Sequence, residues 1–286
     1  MWFKSKKMKS VINTEKIPIK LWLDDIEAGA LNQARNMANL PFAFRHIAIM
    51  PDSHEGYGMP IGGVLATRGV IVPNAVGVDI GCGMCALQTN LEEISGESLK
   101  KSMRGIRELV PLGFDHHKEK KDISLMPSTE GMVKNGIVER QFENARKQIG
   151  TLGGGNHFIE IQKGSDGYIW IMIHSGSRNI GLQVANHYNN IAKRLNERWH
   201  VPVEKSVNLA FLPIEEQEAK DYFTEMQYCI DFAFANRKLM MDNIVTVFSE
   251  QLKGRFSALD FVNIAHNYAR WENHFNTNVI VHRKGA

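Results

Sequence analysis

Residues Phe158–Ile173 have the sequence FIEIQKGSDGYIWIMI, in which two apolar runs flank a polar turn. Phe158–Gln162 and Tyr168–Ile173 are rich in β-branched and aromatic side chains and are typical of strands, and Lys163–Gly167 has the composition of a hairpin connection. Ile180–Trp199 follows with apolar side chains at helical spacing. Strands and helices that succeed one another at this short range predict a mixed α/β fold.

The same patterns recur on both sides of this hairpin. Apolar residues at helical spacing predict further helices over Ile26–Leu40, Ser98–Leu109, Gly136–Ile149 and Glu215–Leu252. Short, largely apolar runs broken by Gly and Pro predict strands at His46–Met50, Gly63–Thr67, Val70–Val72, Phe261–Ile264 and Val279–Val281. The polar stretch Asp115–Glu130 is predicted to be a loop.

The composition is that of an ordinary globular protein. Of 286 residues, 43% are apolar and 23% are charged, and the net charge of +3 gives little support for a simple RNA-binding module. Apolar runs such as Tyr168–Ile173 are far shorter than the roughly 18 residues that span a bilayer. The cysteines, Cys82, Cys85 and Cys229, are too few for a disulfide framework. We therefore expect a cytoplasmic protein that has no membrane partner.

Unusual residues cluster where predicted strands end, and loops at such positions present chemistry from a rigid scaffold. The segments are PDSHEGYG at Pro51–Gly58, VGVDIGCGM at Val76–Met84, LGGGNHFIE at Leu152–Glu160, HSGSR at His174–Arg178 and, much later, AHN at Ala265–Asn267. Together they contain carboxylates, a thiol and several imidazoles.

Five side chains in these segments have the chemistry of metal ligands: Asp79, Cys82, His157, His174 and His266. Thiolate and imidazole favour borderline metals, and carboxylate admits harder ions such as Mn²⁺. The set predicts a site for one or two metal ions with nitrogen and sulfur ligands. The alternative is that each histidine is an ordinary core or surface residue, because spacing alone does not show that the five converge.

Two weaker signals accompany this set. Gly153–Gly155 can turn backbone N–H groups towards an anion, although a triple glycine is equally at home in a tight turn. Arg178 can bind phosphate through two parallel hydrogen bonds, or it is a surface residue at the start of a helix. Cys82 and Cys85 form a C-x-x-C pair, but a zinc ribbon needs a second pair and the sequence has none.

Taken in order, the segments PDSHEGYG, VGVDIGCGM, LGGGNHFIE, HSGSR, AHNYA and the final RKGA resemble the successive signatures of the RtcB family of GTP-dependent RNA-splicing ligases. The resemblance extends from about Ile17 to Ala286 and keeps the family's order. It implies a single RtcB-like domain over residues 1–286, with mixed sheets and peripheral helices.

The resemblance also implies a reaction. Enzymes of this family join an RNA end that carries a 2′,3′-cyclic phosphate or a 3′-phosphate to a 5′-hydroxyl end, and they use GTP and Mn²⁺. The expected partners are therefore tRNA halves or broken RNA, together with GTP. An enzyme histidine first takes GMP from GTP, and the GMP then passes to the RNA 3′-phosphate.

Residues that match the family's signatures take the corresponding roles. Asp79, Cys82, His157, His174 and His266 match ligands of two Mn²⁺ ions, with Cys82 as the bridge and Cys85 as an incidental neighbour. Asn156 matches a contact to the guanylate phosphate, Phe158 a residue that packs on guanine, and Glu160 one that binds its polar edge. Asp52 matches an acidic residue near the reacting histidine, and Arg178 resembles a basic residue placed for the RNA backbone.

In the family RKGA is followed by a long C-terminal portion that carries the nucleophilic histidine, and this sequence stops at Ala286. His282 is not a substitute, because its position corresponds to a strand residue before RKGA. We expect either an incomplete ligase that cannot form the GMP–histidine intermediate or a short form that binds metal or RNA. A metal-dependent phosphodiester hydrolase is a further alternative, although a hydrolase has no need of a guanine site.

Overall fold

A computed structural model describes residues 7–252 and 254–286 and confirms the mixed α/β class. The strands are β1 Ser10–Ile12, β2 Ile19–Leu21, β3 Ile47–His54, β4 Ile61–Thr67, β5 Val70–Ile71, β6 Gly83–Thr89, β7 Phe158–Lys163, β8 Ile169–Ser175, β9 Leu212–Pro213, β10 Ala258–Ala265, β11 Asn267–His274 and β12 Thr277–Lys284. The helices are α1 Ala28–Ala38, α2 Pro73–Val76, α3 Gly96–Leu109, α4 Ile137–Ala145, α5 Arg178–Arg198 and α6 Gln217–Leu252, with 3-10 turns at Ile123–Leu125 and Lys205–Val207.

All helices and strands predicted from the sequence are present, with small changes at their ends. The helix predicted from Ser98 begins at Gly96, because the Ser95 hydroxyl accepts a hydrogen bond from the Ser98 N–H and caps the first turn. The helix predicted to reach Ile149 ends at Ala145. Among the described residues, no helix combines the length and the apolar composition needed to cross a bilayer.

The chain forms two compact units. Among the described residues, unit 1 comprises those within 1–80, 183–226 and 266–286, and unit 2 comprises those within 81–182 and 227–265.

Unit 1 is built on a six-stranded sheet with the order β1-β2-β3-β4-β12-β11. The pair β2–β3 is parallel and the other pairs are antiparallel. Helix α1 covers the sheet, because its Ala34 and Met37 pack in one cluster with apolar strand residues such as Ile47 and Ile49. The β3–β4 register shifts between Ile49 and His54, where Pro51 has no N–H to donate.

Unit 2 is built on a four-stranded antiparallel sheet with the order β10-β6-β8-β7. Cys85 of β6 and Ile159 of β7 both pair with Ile173 of β8, so these three side chains share one face. That face packs against α3 and α6 in a cluster that includes Ile106, Ile244 and Phe248. The sheet therefore has one apolar, covered face, and the residues of alternate positions lie on the opposite face.

His282 of β12 is fully buried in unit 1 and is hydrogen-bonded on both ring nitrogens. Nδ1 donates to the carbonyl of Leu65 at 3.1 Å, so Nε2 carries the lone pair and accepts from the backbone N–H of Val72 at 2.9 Å. Burial lowers the pKa of His282 from 6.5 to about 4, although hydrogen bonds to backbone carbonyls oppose this shift. With both nitrogens engaged inside the core, His282 does not serve as a nucleophile.

We expect acid to destabilise unit 1 through His282. The folded state favours the neutral imidazole, so its contribution to stability is fully present above pH 6.5 and is lost progressively as the pH falls to about 4. The loss amounts to about 3 kcal/mol. Urea denaturation of the native chain and of His282→Gln across this range measures it, because glutamine at this position has no proton to gain.

The matched control is His54→Gln, since His54 is exposed. This variant should keep the native dependence of stability on pH. Parallel stability curves for the native chain and His282→Gln between pH 6.5 and 4 would show that His282 is not the responsible group.

Candidate metal centre

Unit 2 brings together one thiol and two imidazoles. Cys82 Sγ lies 3.2 Å from His174 Nε2 and 3.6 Å from His157 Nε2. The two rings meet edge to face, with centroids 5.4 Å apart. Cys82 and His174 are buried, and His157 is partly buried. Three of the five predicted ligands therefore converge within one unit.

Hydrogen bonds fix the orientation of both rings. His157 Nδ1 donates to the carbonyl of Leu152 and His174 Nδ1 donates to the carbonyl of Asn156, each at 3.0 Å. A carbonyl oxygen can only accept, so each Nδ1 carries the proton and each neutral ring presents a lone pair at Nε2. Metal-binding histidines typically donate their second ring N–H in this way.

The separations fit a metal ion. For Zn²⁺, bonds of about 2.3 Å to sulfur and about 2.0–2.1 Å to nitrogen place the two ligand atoms ~3.1–3.6 Å apart, for bond angles from ~90° to the tetrahedral value. Both Sγ–Nε2 distances at Cys82 lie in this range. The single proton of a Cys82 thiol can be donated to only one of the two facing nitrogen lone pairs, whereas a metal ion can bind the sulfur and both nitrogens.

Two glycines allow the Cys82 loop to reach this position. Gly81 has φ +75°, and a Cβ there would lie 2.9 Å from the Cα of Ile230 and the Cβ of Ala233 in α6. A Cβ on Gly83 would collide with the Ile264 carbonyl of β10. The flanking glycines of GCG therefore bring Cys82 close to the backbone of α6 on one side and of β10 on the other.

Cys85 has a different environment, as expected of an incidental neighbour. It faces the covered side of the sheet, is 1% exposed and belongs to the apolar cluster. Burial raises the pKa of its thiol to about 12, and the positive charge of Arg237 only partly opposes this. Such a thiol stays protonated and does not bind metal, so the two cysteines do not act as a C-x-x-C pair.

Asp79 and His266, the other two predicted ligands, lie in unit 1, and both are partly buried. Asn267, directly after His266, donates its side-chain N–H to the Asp79 carbonyl at 3.0 Å. Asp79 precedes Cys82 by three residues, and His266 follows Ala265, which pairs with Gly83 at the end of β6.

The predicted guanylate residues lie around His174. Phe158 pairs with His174 across β7 and β8, with ring centroids 5.5 Å apart. Glu160 is two residues further along β7 on the same face, and its side chain is exposed. Asn156 is exposed in the loop before β7 and contributes its carbonyl to His174.

The remaining predicted residues, Arg178 and Asp52, lie elsewhere. The Arg178 guanidinium donates to the Thr151 hydroxyl at 3.1 Å and to the Gly113 carbonyl at 3.3 Å, and it packs directly on Gly153. Arg178 therefore ties the glycine-rich loop to the segment after α3. Asp52 is exposed on β3 of unit 1, in the part where the register shifts.

Sequence reasoning missed two polar residues of α6, Asn236 and Arg237, which are both fully buried and contact the ligand-bearing loops. Their signal in the sequence is an amide and a guanidinium inside the apolar stretch FAFANRKLMM. Buried polar side chains usually have specific partners.

Comparison with known proteins identifies the family of the chain. Residues 33–286 match the protein family described as tRNA-splicing ligase RtcB. The RNA-splicing ligase RtcB of Escherichia coli K12 is 36% identical over 298 residues, which cover 96% of this chain and 73% of the relative. The tRNA-splicing ligases RtcB of Thermococcus kodakarensis and Pyrobaculum aerophilum are 30% and 31% identical; each match covers 95% of this chain and 68% or 69% of the relative.

The chain belongs to the RtcB family.

We expect Cys82→Ala to abolish metal binding and Cys85→Ala to leave it intact. Cys82 Sγ lies within 3.6 Å of both imidazole Nε2 atoms, whereas Cys85 is a protonated thiol in the apolar cluster. The measurement is the content of Mn²⁺ after loading and dialysis, determined by atomic emission. Equal losses in the two variants would contradict this assignment and favour a C-x-x-C site.

Proposed function

We propose that this chain is an RNA ligase that joins 2′,3′-cyclic-phosphate or 3′-phosphate RNA ends to 5′-hydroxyl ends, using GTP and Mn²⁺. The observation that carries the proposal is the convergence of Cys82, His157 and His174 in a chain of the RtcB family. The relatives named above are RNA- or tRNA-splicing ligases. The substrates would be tRNA halves or broken RNA.

In this proposal Cys82, His157 and His174 would be among the residues that hold Mn²⁺. The Cys82 thiolate can bind two cations, and His157 and His174 approach it with separate nitrogen lone pairs. Asp79 and His266 would complete the two ligand sets. Asp79 lies three residues before Cys82 in the chain, and His266 follows Ala265, which pairs with Gly83 in the β10–β6 ladder. A carboxylate and imidazoles suit Mn²⁺ as further ligands.

The nucleotide would lie on the face of the sheet that carries Phe158 and Glu160. The Phe158 ring offers a stacking surface for guanine, next to the ring of His174. The Glu160 carboxylate can accept two parallel hydrogen bonds from the adjacent N1–H and N2–H of guanine, and adenine offers no such donor pair. Asn156, at the glycine-rich loop, would donate to a phosphate.

Charge stabilisation would come from the metal and from fixed groups of the chain. Bound Mn²⁺ supplies positive charge to the triphosphate and to the oxyanions that develop during transfer. Arg178 would contact the RNA backbone from the glycine-rich loop, and Asp52 would act beside the reacting histidine of the family. None of Cys82, Cys85 and Cys229 forms a disulfide, and a metal-binding thiolate is favoured in a reducing compartment such as the cytoplasm.

Binding of GTP tests the proposal on residues that the structure describes. We expect fluorescently labelled GTP to bind in the presence of Mn²⁺, in preference to labelled ATP. Phe158→Ala should weaken binding by roughly 10-fold, because stacking of a base on an aromatic ring is worth ~1–3 kcal/mol. Glu160→Gln should lose the preference for GTP, because its amide replaces one acceptor by a donor.

Gln162→Ala is the matched control, since Gln162 lies on the same face of β7, two residues further from His174. It should bind GTP like the native chain. GTP binding that does not depend on Mn²⁺, or that is unchanged in Phe158→Ala, would overturn the assignment. Cleavage of RNA by Mn²⁺ and the chain without any nucleotide would favour the phosphodiester hydrolase instead.

A further inference from the structure

Arg237 places a buried guanidinium in unit 2, beside the loops that carry the metal ligands. One of its nitrogens, Nη1, donates to the carbonyls of Gly81 and Ser175, both at 2.8 Å. Nε donates to the Asn263 side-chain oxygen at 2.7 Å, and the guanidinium lies 4.9 Å from the ring centroid of Phe234. A charge of this kind is costly to bury, and hydrogen bonds of this number and geometry offset the cost.

Asn236, the residue before Arg237, forms hydrogen bonds to two loop segments, at residues 150–151 and 175–176. Its Oδ1 accepts from the backbone N–H groups of Gly150 and Thr151, at 2.7 and 3.2 Å. Its Nδ2 donates to the carbonyls of Thr151 and Gly176, at 3.2 and 3.1 Å, and to the Ser175 hydroxyl at 3.3 Å. One amide thus holds two chain segments at fixed separation.

The groups that this pair holds are immediate neighbours of metal ligands. Gly81 precedes Cys82, and Ser175 follows His174. The Ser175 hydroxyl donates to the Leu152 carbonyl at 2.8 Å, and the same carbonyl accepts the Nδ1 proton of His157. Adjacent positions on one rigid helix therefore reach all three ligand loops of unit 2.

We propose that Asn236 and Arg237 are positioning residues that set the geometry, and thereby the metal affinity, of the Cys82–His157–His174 centre. The inference rests on the metal centre of the proposed function. The pair binds peptide groups of the chain segments that carry the ligands. Outer-shell partners of this kind typically change metal affinity by about 10–100-fold when they are removed.

Arg237→Lys is the informative substitution, because lysine keeps the positive charge but loses the planar fork that reaches three acceptors. We expect this variant to bind Co²⁺, used as a spectroscopic probe, roughly 10–100-fold more weakly than the native chain. The visible bands and the thiolate-to-cobalt charge-transfer band should also shift, since they report the angles between ligands. Competition between Co²⁺ and Mn²⁺ then gives the affinity for Mn²⁺.

Two controls separate positioning from general stability. Val247→Ala removes buried volume from α6, the helix that carries Arg237. Val247 belongs to the apolar cluster that covers the sheet of unit 2, away from the ligand loops. Lys238→Met alters the neighbouring residue, which pairs with Asp242 on the exposed side. Both should bind Co²⁺ within about twofold of the native chain, with unchanged spectra, because neither residue holds a ligand loop.

The outcomes are distinct. Native Co²⁺ affinity and native bands in a folded Arg237→Lys overturn the positioning role, as does an equal loss in Val247→Ala. Absence of Co²⁺ binding to the native chain overturns the metal centre itself, and with it the proposed function. Should Arg237→Lys not fold, Asn263→Ala decides: it removes the acceptor of Nε and should shift the bands, and unchanged bands contradict the proposal.

Discussion

The hydrogen bonds from His157 Nδ1 to the Leu152 carbonyl and from His174 Nδ1 to the Asn156 carbonyl determine what this site can do. They place the ring protons away from Cys82, so that two nitrogen lone pairs face one sulfur. Without them either ring could turn, and the thiol would be left with an ordinary hydrogen bond. The loops, the glycines beside Cys82 and the buried polar pair of α6 all act on this arrangement.

The four-stranded sheet of unit 2 separates folding from chemistry by side-chain alternation. Cys85, Ile159 and Ile173 fill the face against α3 and α6, while His174, Phe158 and Glu160 lie on the other. The two cysteines of one motif consequently have opposite properties. Cys85, in an apolar surrounding, keeps its proton, and Cys82, in the loop before the strand, meets two imidazoles. A shift of one residue in register would exchange the two faces.

The sequence predicted much of this architecture, and the misses have physical causes. Helices such as α6 have long apolar periodicity, and strands such as β8 are apolar runs bounded by turns. Strand β11, with the sequence NYARWENH, lies at the edge of its sheet, and most of its side chains are exposed or only partly buried. It therefore lacks the apolar run by which a strand is recognised in the sequence. Strand β6 was missed because its start is hidden in the glycine-rich motif that also carries Cys82.

The candidate site was predictable in its residue types but not in its geometry. Motifs supplied Cys82, His157 and His174, yet only the fold shows that their atoms meet within 3.6 Å. Arg237 could not be assigned in advance, because its partners are backbone carbonyls of residues distant in sequence. Backbone acceptors leave no trace in side-chain identity, and an arginine within an apolar helix can equally extend to solvent.

The acceptors for both imidazoles belong to the single loop 152–156, and this couples the two rings. Because Leu152 and Asn156 lie on one segment, a displacement of the whole loop withdraws the acceptors from both rings. The orientations of the two nitrogen donors are therefore linked through one short stretch of backbone, although the rings themselves belong to different segments of the chain.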